Sequence, residues 1–302
     1  VRILLALGMC LFALALPGLA SAWGPKGHAI IARMAYAQLN PRASAAVDKL
    51  LALDRDTLTG TDLAARASWA DAYARKKPET APWHFINIQV DDPDIDTACD
   101  NVRSAISNDN CLVRRLQTVE AQLASPNTSV ADRIIAFKFV LHLVGDVHQP
   151  LHAADNQDLS GSCVPIATGA TGTTDLLRYW DDIVVEGLGH DTAALADRLI
   201  SEITPAERER WRRGGPEDWA LESFTLARMR VYSLDSAPAC ASDTAPLFLP
   251  PGYTTEAEQV TRLQLKRAAV RLASVLNRIL GSSSFSLTEL QRQAPAADVN
   301  AR

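Results

Sequence analysis

Apolar residues recur at three- and four-residue spacings along most of this chain, and that periodicity constrains the fold more than any other feature. It predicts helices over residues 27–39, 42–53, 61–74, 112–124, 130–147, 174–186, 191–201, 216–231 and 255–280, filled largely by the strong helix formers Ala and Leu. Pro41 and Pro126 stand at helix boundaries, and Gly281 follows the last helix. That helix carries Leu265, Ala269, Leu272, Val275, Leu276 and Ile279 at helical spacing, the mark of a core helix. Residues 85–90 form the one short extended run of note, too isolated to imply a sheet. Longer loops are expected at 89–110, 153–173 and 235–253. No internal repeat or low-complexity linker interrupts the pattern, so the chain reads as a single all-α domain.

Composition narrows the classes. With 47% hydrophobic and 22% charged residues, the 302-residue chain is neither disordered nor fibrous. A net charge of −5 excludes an overall basic surface as the means of attracting nucleic acid. Residues 1–22 read as a signal peptide. Arg2 is their only charge, an apolar run to Leu16 follows, and Pro17-Gly18 and Ala20-Ser21-Ala22 complete the pattern. The run is short for a membrane anchor. Cleavage after Ala22 gives a mature domain, 23–302, that starts at Trp23 and is exported to the periplasm or secreted. Cys10 leaves with the leader, and Cys99, Cys111, Cys163 and Cys240 remain. An even number in an exported chain predicts two disulfides, with three pairings open and Cys99–Cys111 the most local.

Five of the six histidines sit in motif-like contexts. These are Trp23-Gly-Pro-Lys-Gly-His28, Pro82-Trp-His84-Phe-Ile-Asn87 and His142-Leu-Val-Gly-Asp146-Val-His148-Gln-Pro-Leu-His152, with Trp69-Ala-Asp71 and Trp180-Asp181 adding carboxylates. His142 and Asp146 are four apart in a predicted helix and share a face. An imidazole and a carboxylate so placed suit a cation such as zinc. Pro150 turns the chain just before His152. Any one of these histidines alone would be an ordinary core or surface residue; five with aspartate partners point to a metal site. Cleavage after Ala22 would free the Trp23 α-amine, whose pKa of about 7.7–8.0 lets a metal displace its proton. Amine and carbonyl could then chelate one ion.

On these residues the chain resembles the zinc-dependent, single-strand-specific nucleases of moulds, plants and bacteria, whose fold is shared with zinc-dependent phospholipase C. The resemblance runs from Trp23-Gly-x-x-Gly-His28 to Arg271-Leu-Ala-x-x-Leu-Asn277, and Gly145-Asp-x-His-Gln-Pro-Leu-His152 is its most specific motif. It implies three zinc ions in a cleft. Asp71, His84, His142 and Asp146 match the ligands of the first. The Trp23 amine and carbonyl, His28 and the shared Asp146 match those of a second, paired with it. His152 and Asp181 match two ligands of the third. The resemblance further implies that a hydroxide between the paired ions attacks phosphorus while the third ion stabilises the leaving 3′-oxygen. Three dications outweigh three aspartates, so the site would be positive although the protein is acidic. Phe85 matches the family's base-stacking aromatic, and stacking tolerates any unpaired base. His148 is expected to support the ligands from behind, and His190 to lie on the surface.

The chain also departs from the pattern. The family's Asn-Leu-His-x-x-Trp-Asp reads Asp175-Leu-Leu-Arg-Tyr-Trp-Asp181, so Leu177 stands where a ligand histidine is expected. The adjoining Asp-Arg-Gly-Gly-Asn reads Asp158-Leu-Ser-Gly-Ser162. Asn87 replaces an aspartate near the base. The arginine expected three residues after Asp71 is Ala74, and Arg75 is the candidate substitute. The resulting expectation is a monomeric zinc phosphodiesterase and 3′-nucleotidase acting on single-stranded DNA or RNA. It has two tightly held ions and a weak third site, with Asp71, Asp146 and Arg75 catalytic and Phe85 and Asn87 on the substrate. A phospholipase C, or a metal-impaired homologue that binds nucleic acid without turnover, are the alternatives.

Overall fold

Prolines and side-chain caps set the helix starts. α1 (Pro25–Tyr36) and α2 (Pro41–Leu53) open on proline, whose missing N–H costs nothing at that position. The Asn40 side chain caps α2 by accepting from Ala43 N at 2.9 Å. The helix expected over 61–74 is two, α3 (Leu63–Arg66) and α4 (Trp69–Lys76). The break leaves the Ala67 carbonyl to accept from the His142 ring at 2.7 Å. α5 (Ile95–Asp100) falls inside the expected loop 89–110. α6 (Leu112–Ala124) and α7 (Val130–Asp146) follow, close to their predicted bounds. This computed structural model describes residues 23–100, 110–169, 171–234, 240, 245–283 and 285. The expected signal peptide and parts of all three expected loops lie outside them.

α7 is buried along nearly its whole length and packs against α1, α2, α4, α6 and α13 (Tyr253–Leu280). A helix apolar on all sides belongs at the centre of a domain. Ser129 caps its start by accepting from Asp132 N, and its C-terminus delivers Asp146 to the interior. Between α7 and α13 run α8 (Leu176–Arg178), a π-helical turn over Tyr179–Ile183, and α9 (Val184–Gly187). α10 (Thr192–Ser201), α11 (Pro205–Trp211) and α12 (Pro216–Leu226) complete the set.

The short extended run does pair. β1 (Ile88–Gln89) lies parallel to β2 (Ala154–Asp155), with Ile88 opposite Ala154. Ile86 N donates to His152 O at 2.8 Å just before it. This pairing brings the 84–87 segment alongside the turn that carries His152. The expected loop 153–173 also holds an antiparallel pair, β3 (Pro165–Thr168) with β4 (Gly172–Asp175). Both disulfides form, Cys99–Cys111 and Cys163–Cys240. Cys163 is thereby unavailable as a metal ligand.

Candidate metal centre

Four elements converge on one buried point. α1 supplies His28, α4 supplies Asp71, a 3₁₀ turn over Pro78–His84 supplies His84, and α7 supplies His142 and Asp146. All five side chains are buried. His142 Nε2 lies 3.1 Å from His84 Nδ1, 3.4 Å from Asp71 Oδ1 and 3.3 Å from Asp146 Oδ2. His84 Nδ1 lies 2.9 Å from Asp146 Oδ2 and 3.8 Å from Asp71 Oδ1. A tetrahedral zinc with arms of about 2.0–2.1 Å sets its donor atoms roughly 3.3–3.4 Å apart, and these separations bracket that edge. The second oxygen of Asp146, Oδ1, faces His28 Nε2 at 3.3 Å. Asp146 therefore presents one oxygen to each of two donor groups, as a bridging carboxylate would.

Two glycines permit this approach. A Cβ on Gly145 would lie 2.7 Å from His28 Nδ1, and one on Gly27 would lie 2.6 Å from the Trp23 Cβ. The buried Trp23 indole donates to Gly145 O at 3.1 Å, which pins residue 23 beside the Asp146 corner.

The rings are oriented for coordination. His142 Nδ1 donates to Ala67 O and His152 Nδ1 to His84 O, each at 2.7 Å. A carbonyl can only accept, so each ring carries a proton on Nδ1 and turns its Nε2 to the site. His28 Nε2, Asp146 Oδ1 and His152 Nε2 are buried and make no hydrogen bond. Buried polar atoms are rarely left so, and donors converging in this way fit a cation.

The electrostatics agree. Burial pushes the Asp146 carboxyl upward, but His142, His28 and His84 outweigh it and hold it well below the usual carboxylate range. Asp71 is held low in the same way, chiefly by His142. His142 is raised well above its ordinary value because Asp146 and Asp71 overcome its burial. Burial, then His142, lowers His28, and burial holds His152 down to about 4. The carboxylates thus favour positive charge at the centre, while burial keeps the His28 and His152 imidazoles neutral and able to ligate.

His152 and Asp181 also meet, with Nε2 3.9 Å from Oδ1. Burial raises Asp181 well above the usual range, against the hydrogen bond it accepts from Gln149 Nε2. Trp180 Nε1 donates to Tyr253 Oη at 3.0 Å and fixes the π turn that carries Asp181. Leu177 is packed in the apolar core, its N–H on Gly161 O at 3.4 Å. Among the described residues, two triads can hold an ion: His28–His142–Asp146 and Asp71–His84–His142. Neither contains His152 or Asp181.

Phe85 is half-buried and stacks on the His152 ring at 4.1 Å between centroids. Asn87 Oδ1 accepts from Ser160 Oγ at 3.3 Å. Ser160, Leu159 and Gln157 all have positive φ, from 55° to 58°. Such residues cost about 1–3 kcal/mol each and cluster at functional sites. Arg75 sits exposed at the end of α4, and His190 is exposed.

Sequence reasoning did not find the network behind His148. Its Nδ1 donates to Val144 O at 2.6 Å, and its Nε2 accepts from Arg271 at 2.9 Å. Arg271 forks onto Glu222, and Gln264 donates to His148 O at 2.8 Å. α13 thereby clamps the turn between Asp146 and His152. Burial and then Arg271 push His148 well below its ordinary pKa. The unfolded chain therefore takes up a proton below about pH 6.5 that the folded protein refuses. His148→Gln removes this acid-side loss. The stability of wild type relative to the variant should fall by about 1.4 kcal/mol per pH unit as pH drops from 6.5 to 5. Urea unfolding of both proteins across that range measures it. Parallel curves would mean that His148 titrates normally.

A mostly helical domain that gathers histidines and aspartates into a buried cluster of this kind has the donor set of a metal-dependent hydrolase. Residues 23–281 match the family model of the S1/P1 Nuclease, and the chain belongs to that family. It is 28% identical over 281 residues to Endonuclease 2 of Arabidopsis thaliana, covering 86% of this chain and 91% of that protein. It is 28% identical over 291 residues to Nuclease S1 of Aspergillus oryzae, covering 90% and 96%. Against Nuclease P1 of Penicillium citrinum the identity is 26% over 280 residues, covering 86% and 98%.

Proposed function

We propose that this nuclease is a zinc-dependent phosphodiesterase and 3′-nucleotidase acting on single-stranded DNA or RNA, with two tightly held ions and a weak third site. One observation carries the reading: Asp146 turns its two oxygens to two separate donor groups, His28 on one side and His84 with His142 on the other. His28, with the Trp23 amine and carbonyl, would hold one ion, and Asp71, His84 and His142 the other. Bound zinc lowers the pKa of water from 15.7 to about 7 and offsets the charge of the phosphate. The protein's part is placement. Ala67 and His84 carbonyls fix the ring tautomers, and α13 steadies the turn between Asp146 and His152. Phe85 offers a stacking face that accepts any base provided it is unpaired, and the Asn87 amide can donate to or accept from the base edge.

The third position does not fit a tight site. Catalytic zinc commonly has three protein ligands, and Leu177 supplies none, leaving His152 and Asp181. Elemental analysis of the purified mature protein, with single-stranded DNA digestion on the same sample, tests the whole reading. Two zinc ions per chain and clear digestion are expected. Three tightly held ions would refute the weak third site, and bound zinc without digestion would favour a binding protein.

Export and processing belong to the same reading, with the leader ending at Ala22 so that Trp23 is freed. A mature protein carrying one extra residue before Trp23 should lose the ion held with His28 and nearly all activity. Full zinc content and full activity in that form would rule amine ligation out.

A further inference from the structure

A cavity of about 340 Å³ opens on the α1 and α3 side of Asp71. Its walls are small and apolar, with Ala29 from α1 and Ala64 and Ala65 from α3, and its polar groups include Ser68, Asp71 and Arg75. It meets the metal centre at Asp71 alone. None of Phe85, Asn87, His152 or Asp181 lines it. Its volume is at the lower end for small-molecule sites, which suits one nucleoside-sized group. Ser68 Oγ is buried with no hydrogen-bond partner. Arg75 is exposed and has no ion-pair partner among the described residues. In a protein of net charge −5, an unpaired guanidinium at the rim of a cavity that touches the metal site is a local anchor for phosphate.

The geometry points to a nucleotide subsite in this cavity, in which Arg75 holds a phosphate flanking the scissile one. The inference rests on the nuclease reading and deepens it. Substrate would cross the metal centre, with one base on Phe85 and the neighbouring nucleotide in the alanine-walled cavity. Arg75 then selects for chain length in place of the catalytic role at the reacting phosphate that its position after Asp71 suggests in the sequence.

The test compares the thymidine dinucleotide TpT with the tetranucleotide TpTpTpT. Both kcat/KM and the dissociation constants of phosphorothioate versions, read by fluorescence anisotropy, are measured. One charge-assisted phosphate contact should favour the tetramer by about tenfold or more in the wild type. Arg75→Glu should bring that ratio close to one, as should Ala64→Trp, which fills the cavity. If Arg75 instead touched the scissile phosphate, both oligomers would weaken alike and the ratio would hold. A wild-type ratio retained in Arg75→Glu overturns the proposal, whatever Ala64→Trp does; Arg75 is exposed at a helix end, so that variant should fold. Should the wild type cleave neither oligomer, the nuclease reading falls, and the ratio of dissociation constants still decides the subsite.

Discussion

Asp146→Asn is expected to empty both ion sites and to lower kcat/KM on single-stranded DNA by about a thousandfold or more. Removing a single preorganised group from an active site commonly costs about 10²–10³. Asp146 does more than one such group, since Oδ1 faces His28 and Oδ2 faces His84 and His142. An asparagine keeps the shape but loses the charge, and its NH₂ end would point at one donor set with nothing to offer a metal. Chelated protein should also lose stability. His142 is raised by Asp146 and Asp71 together, and removing one partner of a buried ion pair costs about 3–5 kcal/mol. Zinc content, digestion rate and urea midpoint of the variant report the three effects separately. Asp48→Asn, on an exposed carboxylate that accepts from Tyr36, is the control. A variant that still holds two zinc ions and digests DNA at more than about a hundredth of the wild-type rate would remove Asp146 from the centre of the site.

The candidate ligands on α7 and just beyond it were legible in the sequence because their spacing is local. His142 and Asp146 share a helix face at four-residue spacing, and His152 follows the same helix past Pro150. α7 itself was legible from its apolar periodicity, with Pro126 marking the boundary before it; the Ser129 cap is seen only in the structure. The missed features are those made by distant partners. The break between α3 and α4 follows no helix-breaking residue; it accompanies the His142 ring on the Ala67 carbonyl, across 75 positions of sequence. The β1–β2 pair joins two-residue strands too short to show an alternation. Arg271 meets His148 across 123 positions, within a helix whose pattern says only that it is buried. α11 is a different case. Thr204, Pro205 and Glu207 form a proline-led capping box, a local signal that periodicity alone does not weigh.

Leu177→His is expected to add a third zinc ion per chain and to raise phosphodiesterase activity by about 10²-fold, the scale on which stabilising a developing charge acts. Two donors of that site are in place. His152 Nε2 is buried without a hydrogen bond, and Asp181 lies 3.9 Å from it. Residue 177 lies on α8, four positions before Asp181, and is buried. In zinc-free buffer the new imidazole sits in an apolar pocket, and burying it unpaired should cost about 1–3 kcal/mol. Zinc should then restore that loss, so the variant's melting temperature should rise with zinc concentration more steeply than that of wild type. Leu177→Met, which keeps volume and polarity, should show neither effect. The outcome also separates two causes of a weak site. Gly161 O accepts from Leu177 N, so the altered 158–162 segment and the altered ligand position touch. A third ion without faster turnover would place the limit in that loop, whose Asp158 is engaged with Tyr232 and Gly161. Neither ion nor rate would mean that Gln149, already bonded to Asp181, holds the carboxylate against the metal.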